Sequence, residues 1–297
     1  MRSILTAPPS RTPSKIVEPG AFFRRHLCFV ATLLGSSLLF ASALQSLFHF
    51  AMAYSVGFHT LLVIPVSSYF VYRNRGEIFS RPPSGSISAF CSLITFISVL
   101  SFHEVSKQSS GVSLQILELV TMWLCAFVFF YGLHALWMAR AAVLFLFLFI
   151  PIPNVLAERM ILFLQERSAD VALWLFRICR VPVFREGLVL HIPMLDLAVA
   201  EQCSGIRSSM VLFVTTFILG ELLLRSFWSK SLLIISVIPI VVFKNGLRIV
   251  TVSLLTICVN RGFLHGWLHQ SGGIVFYLIG LAMILLLWKL LRTAEVG

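Results

Sequence analysis

Charged side chains make up only 12% of the 297 residues, about half the share found in soluble domains. So small a supply cannot cover one large water-facing surface. The 58% hydrophobic content also excludes a disordered chain. Acidic residues are scarcer than basic ones, 12 Asp and Glu against 23 Lys and Arg. Nucleic-acid binding would need those basic residues as a stripe on a soluble face, and they are instead scattered between apolar runs. The six cysteines form no CxxC and no Cys/His pair at metal spacing. No internal repeat or low-complexity tract occurs.

Long apolar runs dominate, and mean hydropathy is +0.94. A bilayer is the solvent this composition suits. At about 20 residues per crossing, the chain accommodates about eight transmembrane helices, and no separate soluble catalytic domain fits. The expected fold is an all-α polytopic membrane helix bundle. The expected spans run near Leu27 to Phe48, Phe50 to Tyr72, Ser86 to Phe102, Leu114 to Met138, from Ala141 to an interruption at Ile150-Pro151-Ile152-Pro153, Ser204 to Leu224, Ser231 to Val259, and Gly272 to Leu291. His103, Glu104 and Lys107 read as a polar loop. Residues 1–25 read as a basic, disordered cytoplasmic tail, and residues 26–297 as a single membrane domain. Glu166, Arg167, Asp170 and Arg177, spaced among apolar residues, predict an amphipathic interfacial helix over Leu162 to Cys179. Phe184 to Pro193, with Gly187 at its centre, predicts a short extended segment on the outer side.

Alternating spans from a cytoplasmic N-terminus leaves a net charge of +9 on the inner side and +2 on the outer. Lysine and arginine favour cytoplasmic loops, so both termini are expected inside a cytoplasmic (inner) membrane. Two basic residues, Lys244 and Arg248, fall within an apolar run, where a charge is costly and points to function. For Lys244 the plainer reading is snorkelling or pairing. At about 1.5 Å per residue, Arg248 stands roughly 27 Å from Lys230, Cys203 roughly 33 Å from Arg225, and His269 roughly 30 Å from Lys289. A thiol, a guanidinium and an imidazole on three consecutive spans thus reach one height, on the outer side. Cys203 also sits where a helix begins, followed by Ser204 and Arg207. Unpaired N–H groups at a helix start favour the thiolate, the form that attacks carbonyls.

The segment Gln202-Cys203-Ser204-Gly205-Ile206-Arg207-Ser208, then Asn245-Gly246-Leu247-Arg248-Ile249, then His269 with Gly273 after it, resembles the exosortase/archaeosortase family. Ile150-Pro151-Ile152-Pro153 and Arg185-Glu186-Gly187 fit the same resemblance, which covers roughly residues 140–285. It implies a multi-pass membrane cysteine peptidase or transpeptidase. Its partners would be exported proteins carrying a C-terminal motif (PEP in the best-known class), a transmembrane helix and a basic tail. They would be cleaved through a thioester acyl-enzyme on the extracytoplasmic face. Carried over, Cys203 is the nucleophile, Arg248 the arginine partner and His269 the histidine. No cofactor or metal is implied, and membrane lipid surrounds the site. His265, one turn before His269, is the alternative imidazole, and Arg207 an additional cation. His191 reads as structural and Glu201 as solvated. A non-catalytic transporter for an anionic solute, binding at Lys244, Arg248 and the Pro151/Pro153 break, is the alternative from another class. A membrane acyltransferase using His269 lacks a paired acid.

Overall fold

The computed structural model describes residues 19–53, 59–80, 86–106, 111–193, 195–199, 206–259 and 273–296. Most of the expected basic tail, the Arg81-Pro82-Pro83 turn, Glu201, Cys203, His265 and His269 lie outside the described residues.

Helices run almost end to end. They are α1 (Pro19–Leu39), α2 (Ala41–Ala53), α3 (Thr60–Arg73), α4 (Arg75–Ile78), α5 (Ser86–Ser106), α6 (Val112–Tyr131), α7 (Leu133–Met138) and α8 (Arg140–Leu146). After the Pro151/Pro153 break come α9 (Asn154–Ile178), strands β1 (Phe184–Glu186), β2 (Val189–Ile192) and β3 (Leu195–Ala198), then α10 (Ile206–Leu223), α11 (Phe227–Ile235), α12 (Val237–Cys258) and α13 (Gly273–Val296). Among the described residues four helices are long and apolar enough to cross a membrane, or six if each of two bent pairs counts as one. The helical membrane architecture is as expected, and the described residues account for four to six of the eight expected spans. The first expected span breaks at Phe40, and the fifth at the prolines, where the missing N–H stops a helix. Among the described residues the sixth is a shorter apolar helix, Ser208–Leu223.

The chain forms two compact units. The first holds the residues up to Leu44 together with Ser67–Phe147. Here α5 and α6 form a hairpin, and α1 lies along α6. His103 is not in a loop, as its sequence context suggests. It is buried within α5, its Nδ1 is 2.8 Å from Glu118 Oε2 on α6, and its ring lies 3.8 Å from that of Phe40. Buried polar groups need such partners in a medium without water.

The second unit holds Gln45–Val66 and the residues from Leu148 onward. Its core is α9, α10, α12 and α13. The helix expected from Leu162 begins earlier, at Asn154, and lies lengthwise along α12. Leu164 packs with Val237 and Val241, while Ala172 and Phe176 pack with Ile249 and Val250. The close approach is possible because residue 246 is glycine. A Cβ there would stand 2.6 Å from Val171 Cγ1 and 3.2 Å from the Ala172 nitrogen. Small residues at helix contacts are how membrane helices gain packing without a hydrophobic drive.

A Schellman turn ends α9. Arg180 takes φ +58°, its N–H donates to the Arg177 carbonyl, and the Val181 N–H donates to that of Phe176. The chain then enters an antiparallel sheet in the order β1-β2-β3, with Leu190 opposite both Arg185 and Leu197. Gly187, at φ +58°, makes the β1–β2 turn; β3 extends the segment beyond what the sequence reading contained.

Gly246→Ala is expected to lower stability by about 1–3 kcal/mol, read as a lower thermal midpoint in detergent. Gly35→Ala, where nothing lies within 4 Å of an added Cβ, is expected to leave the midpoint unchanged or slightly raised.

Candidate functional site

Three helices of the second unit share one register. Lys244 on α12 is 2% exposed, and its Nζ donates to Ser208 Oγ on α10 at 2.5 Å. The lysine stem fills the space beside Gly280 on α13. A Cβ there would lie 3.2 Å from Lys244 Cδ and 3.3 Å from Leu212 Cδ2. At the other end of the bundle, Glu295 on α13 accepts the N–H groups of Arg225 and Ser226, at 3.1 and 2.9 Å, where α10 gives way to α11. Lys230 donates to Glu221 at 2.8 Å. It is therefore a largely buried, paired residue rather than a solvated end of the span. With both ends fastened, α10 and α13 run antiparallel to α12.

Heights follow from this register. Arg248 is one turn beyond Lys244, about 6 Å along α12, and half-buried. Ile206, where α10 begins, precedes Ser208 by two residues, about 3 Å. Gly273, where α13 begins, precedes Gly280 by seven residues, about 10 Å. Arg248 therefore stands level with the first turn of α10 and about one turn short of the start of α13. Cys203 precedes α10 by three positions and His269 precedes α13 by four. Of the three expected site residues the structure describes Arg248 alone.

The elements around Arg248 are tightly held. Its neighbour Asn245, 1% exposed, donates through Nδ2 to Ser168 Oγ on α9 at 3.1 Å. Ile249 and Val250 pack with Leu190, Ile192 and Val199, so the sheet sits over this end of the α9–α12 pair. The β1 side is tied by Arg185, which bonds Asp170 on α9 and donates through Nε to the Gly187 carbonyl at 2.7 Å. Asp170 also pairs with Arg167 at 2.9 Å. His191, read from sequence as structural, sits between carboxylates of the sheet, Nδ1 at 2.8 Å from Asp196 Oδ1 and Nε2 at 3.7 Å from Glu186 Oε2.

Two groups escaped the sequence reading. Buried Gln165 on α9 donates through Nε2 to the Val199 carbonyl at 2.7 Å, and so holds the strand that leads, four residues later, to Cys203. Ser208 is the partner of Lys244. A cavity of about 370 Å³ lies between α9, α10 and α12; Arg159, Phe163, Ile206, Ser209 and Phe213 are among its lining residues. Among the described residues no group of three His, Cys, Asp or Glu side chains is placed to hold a metal.

The sequence model of the transmembrane exosortases matches residues 53–286. The chain belongs to the transmembrane exosortase family. It is accordingly a multi-pass membrane protein of helical architecture and an exosortase-type membrane transpeptidase. Neither a curated protein nor a solved structure matches it. The exosortase match reaches back to residue 53, well before the segment near residue 140 where the recognisable motifs begin, so it takes in most of the first unit as well.

Gln165→Leu is expected to cost about 1–3 kcal/mol, because the buried Val199 carbonyl loses its donor. Faster hydrogen exchange across β3, by mass spectrometry, is the accompanying sign; unchanged exchange and an unchanged melt would contradict the assigned role.

Proposed function

We propose that this exosortase is a cysteine transpeptidase in which Cys203, Arg248 and His269 form the site. The register set by Lys244 is the observation that carries the reading. It brings Arg248 level with the start of α10 and near the start of α13, the two helices that follow Cys203 and His269. In the proposed orientation both termini are cytoplasmic and this end of the bundle faces outward, as the charge split of +9 against +2 favours. The substrates are exported proteins whose C-terminal signal comprises a short motif, a transmembrane helix and a basic tail. The helix packs beside the second unit, which brings the motif to the level of Arg248.

The chemistry proceeds in two halves. The Cys203 thiolate attacks the carbonyl carbon of the scissile peptide bond. A C–S bond forms, and the carbonyl π pair moves onto oxygen. Arg248 donates to that oxyanion, an interaction strengthened where water is excluded. The intermediate collapses, the C–N bond breaks, and the leaving amine takes a proton from the His269 imidazolium. A thioester now joins the exported protein to Cys203. Imidazole then takes a proton from the incoming nucleophile, which attacks the thioester and expels the thiolate. An amine acceptor gives transpeptidation, and water gives hydrolysis. Family membership favours this reading over that of a solute transporter.

Cys203→Ala and Arg248→Ala are each expected to lower processing of a signal-bearing protein by at least about a hundredfold. Mass spectrometry of the wild-type protein, acid-quenched during turnover, is expected to show the thioester adduct on Cys203. A Cys203→Ala protein that still processes its substrate would refute the scheme.

A further inference from the structure

Lys244 is the buried charge that this mechanism does not use. Its partner Ser208 is a neutral hydroxyl, so the bond leaves the positive charge uncancelled. Among the described residues no carboxylate pairs with it. A long apolar side chain would pack between α10, α12 and α13 without the desolvation cost of an ammonium, since a buried charge is seldom the more stable choice. The lysine is therefore not explained by packing.

Its position suggests the reason. Ser208 lies in the first turn of α10, five residues after Cys203. Lys244 lies one turn from Arg248 on the same helix face. The Nζ–Oγ bond thus joins the helix that follows the proposed nucleophile to the helix that bears the proposed oxyanion donor. Gly280 leaves the space through which the stem reaches Ser208.

We infer that Lys244 is a positioning residue for the transpeptidation site: through Ser208 it fastens the first turn of α10, the helix that follows Cys203 in sequence, at the level of Arg248. The inference rests on the assignment of Cys203 as nucleophile. Lys244 touches no reacting atom. Unpaired N–H groups at a helix start favour a thiolate, so a fixed α10 start bears on the reactivity assigned to Cys203. In such a site a shift of about 1 Å costs about a hundredfold in rate, so the register of α10 against α12 matters to the proposed chemistry.

The test uses the full chain in detergent or liposomes, with iodoacetamide as probe. Alkylation at each cysteine is followed by peptide mass spectrometry. Ser208→Ala is expected to slow alkylation of Cys203 by roughly tenfold and to leave Cys28, in the first unit, unchanged. Ser208→Thr keeps the hydroxyl and is expected to restore the rate. Lys244→Met, which keeps the length of the stem, is expected to behave as Ser208→Ala. In processing assays both defects fall on kcat with KM little changed. If Lys244→Met does not fold, the Ser208→Ala and Ser208→Thr pair decides alone. Wild-type alkylation of Cys203 in Ser208→Ala, or no recovery in Ser208→Thr, overturns the inference while leaving the catalytic assignment standing. Persistent processing by Cys203→Ala would instead remove the catalytic assignment itself.

Discussion

An ammonium group held away from water by three helices is a demanding constraint, because it must find its hydrogen bonds within the protein. Lys244 meets that demand with Ser208, and in doing so sets how far α10 can slide along α12. Gly280 lets α13 close on the same stem. Register along these helices is otherwise weakly specified. Leucine, isoleucine and valine repeat along them, and one apolar face packs nearly as well a turn higher or lower. The Lys244–Ser208 contact at the first turn of α10, with the Glu295 clamp at the far end, removes that freedom.

The remaining supports act on the same end of the unit. Asn245 and Gly246 bring α9 against α12, with the hydrogen bond and the close approach on adjacent residues. The Schellman turn at Arg180 ends α9 and leads the chain into the sheet, and the sheet covers Ile249 and Val250. Gln165 then secures the strand before it continues toward Cys203. Each contact is modest alone. Together they surround Arg248 with elements whose positions are set by polar bonds rather than by apolar packing alone.

Much of the architecture was legible from run lengths. Helices α5 and α13, and α6 and α12 when taken with α7 and α11, fall close to their expected bounds, because a long apolar stretch has few alternatives in a bilayer. The break at Phe40 was not legible, since neither proline nor glycine marks it. His103 was misread as a loop residue because its partner, Glu118, lies fifteen positions away and meets it only when α5 and α6 fold into a hairpin. Heights were reckoned from Lys230 as though it were a solvated end, whereas Glu221 pairs with it inside the bundle. Arg248 nonetheless falls level with the start of α10, because the antiparallel connection through α11 is short. The role of Ser208 was invisible, since a serine in a helix gives no hint of which neighbouring helix it will meet.

The two kinds of contact in the second unit differ in compliance. Between α9 and α12 backbone approaches side chain and backbone directly at Gly246, so those helices behave as one stiff beam. Toward α10 and α13 the contact is made by a buried lysine side chain and its hydrogen bond to Ser208 rather than by backbone. The guanidinium of Arg248 thus rides on the stiffer of the two pairings, one turn from the contact that sets the register of the other.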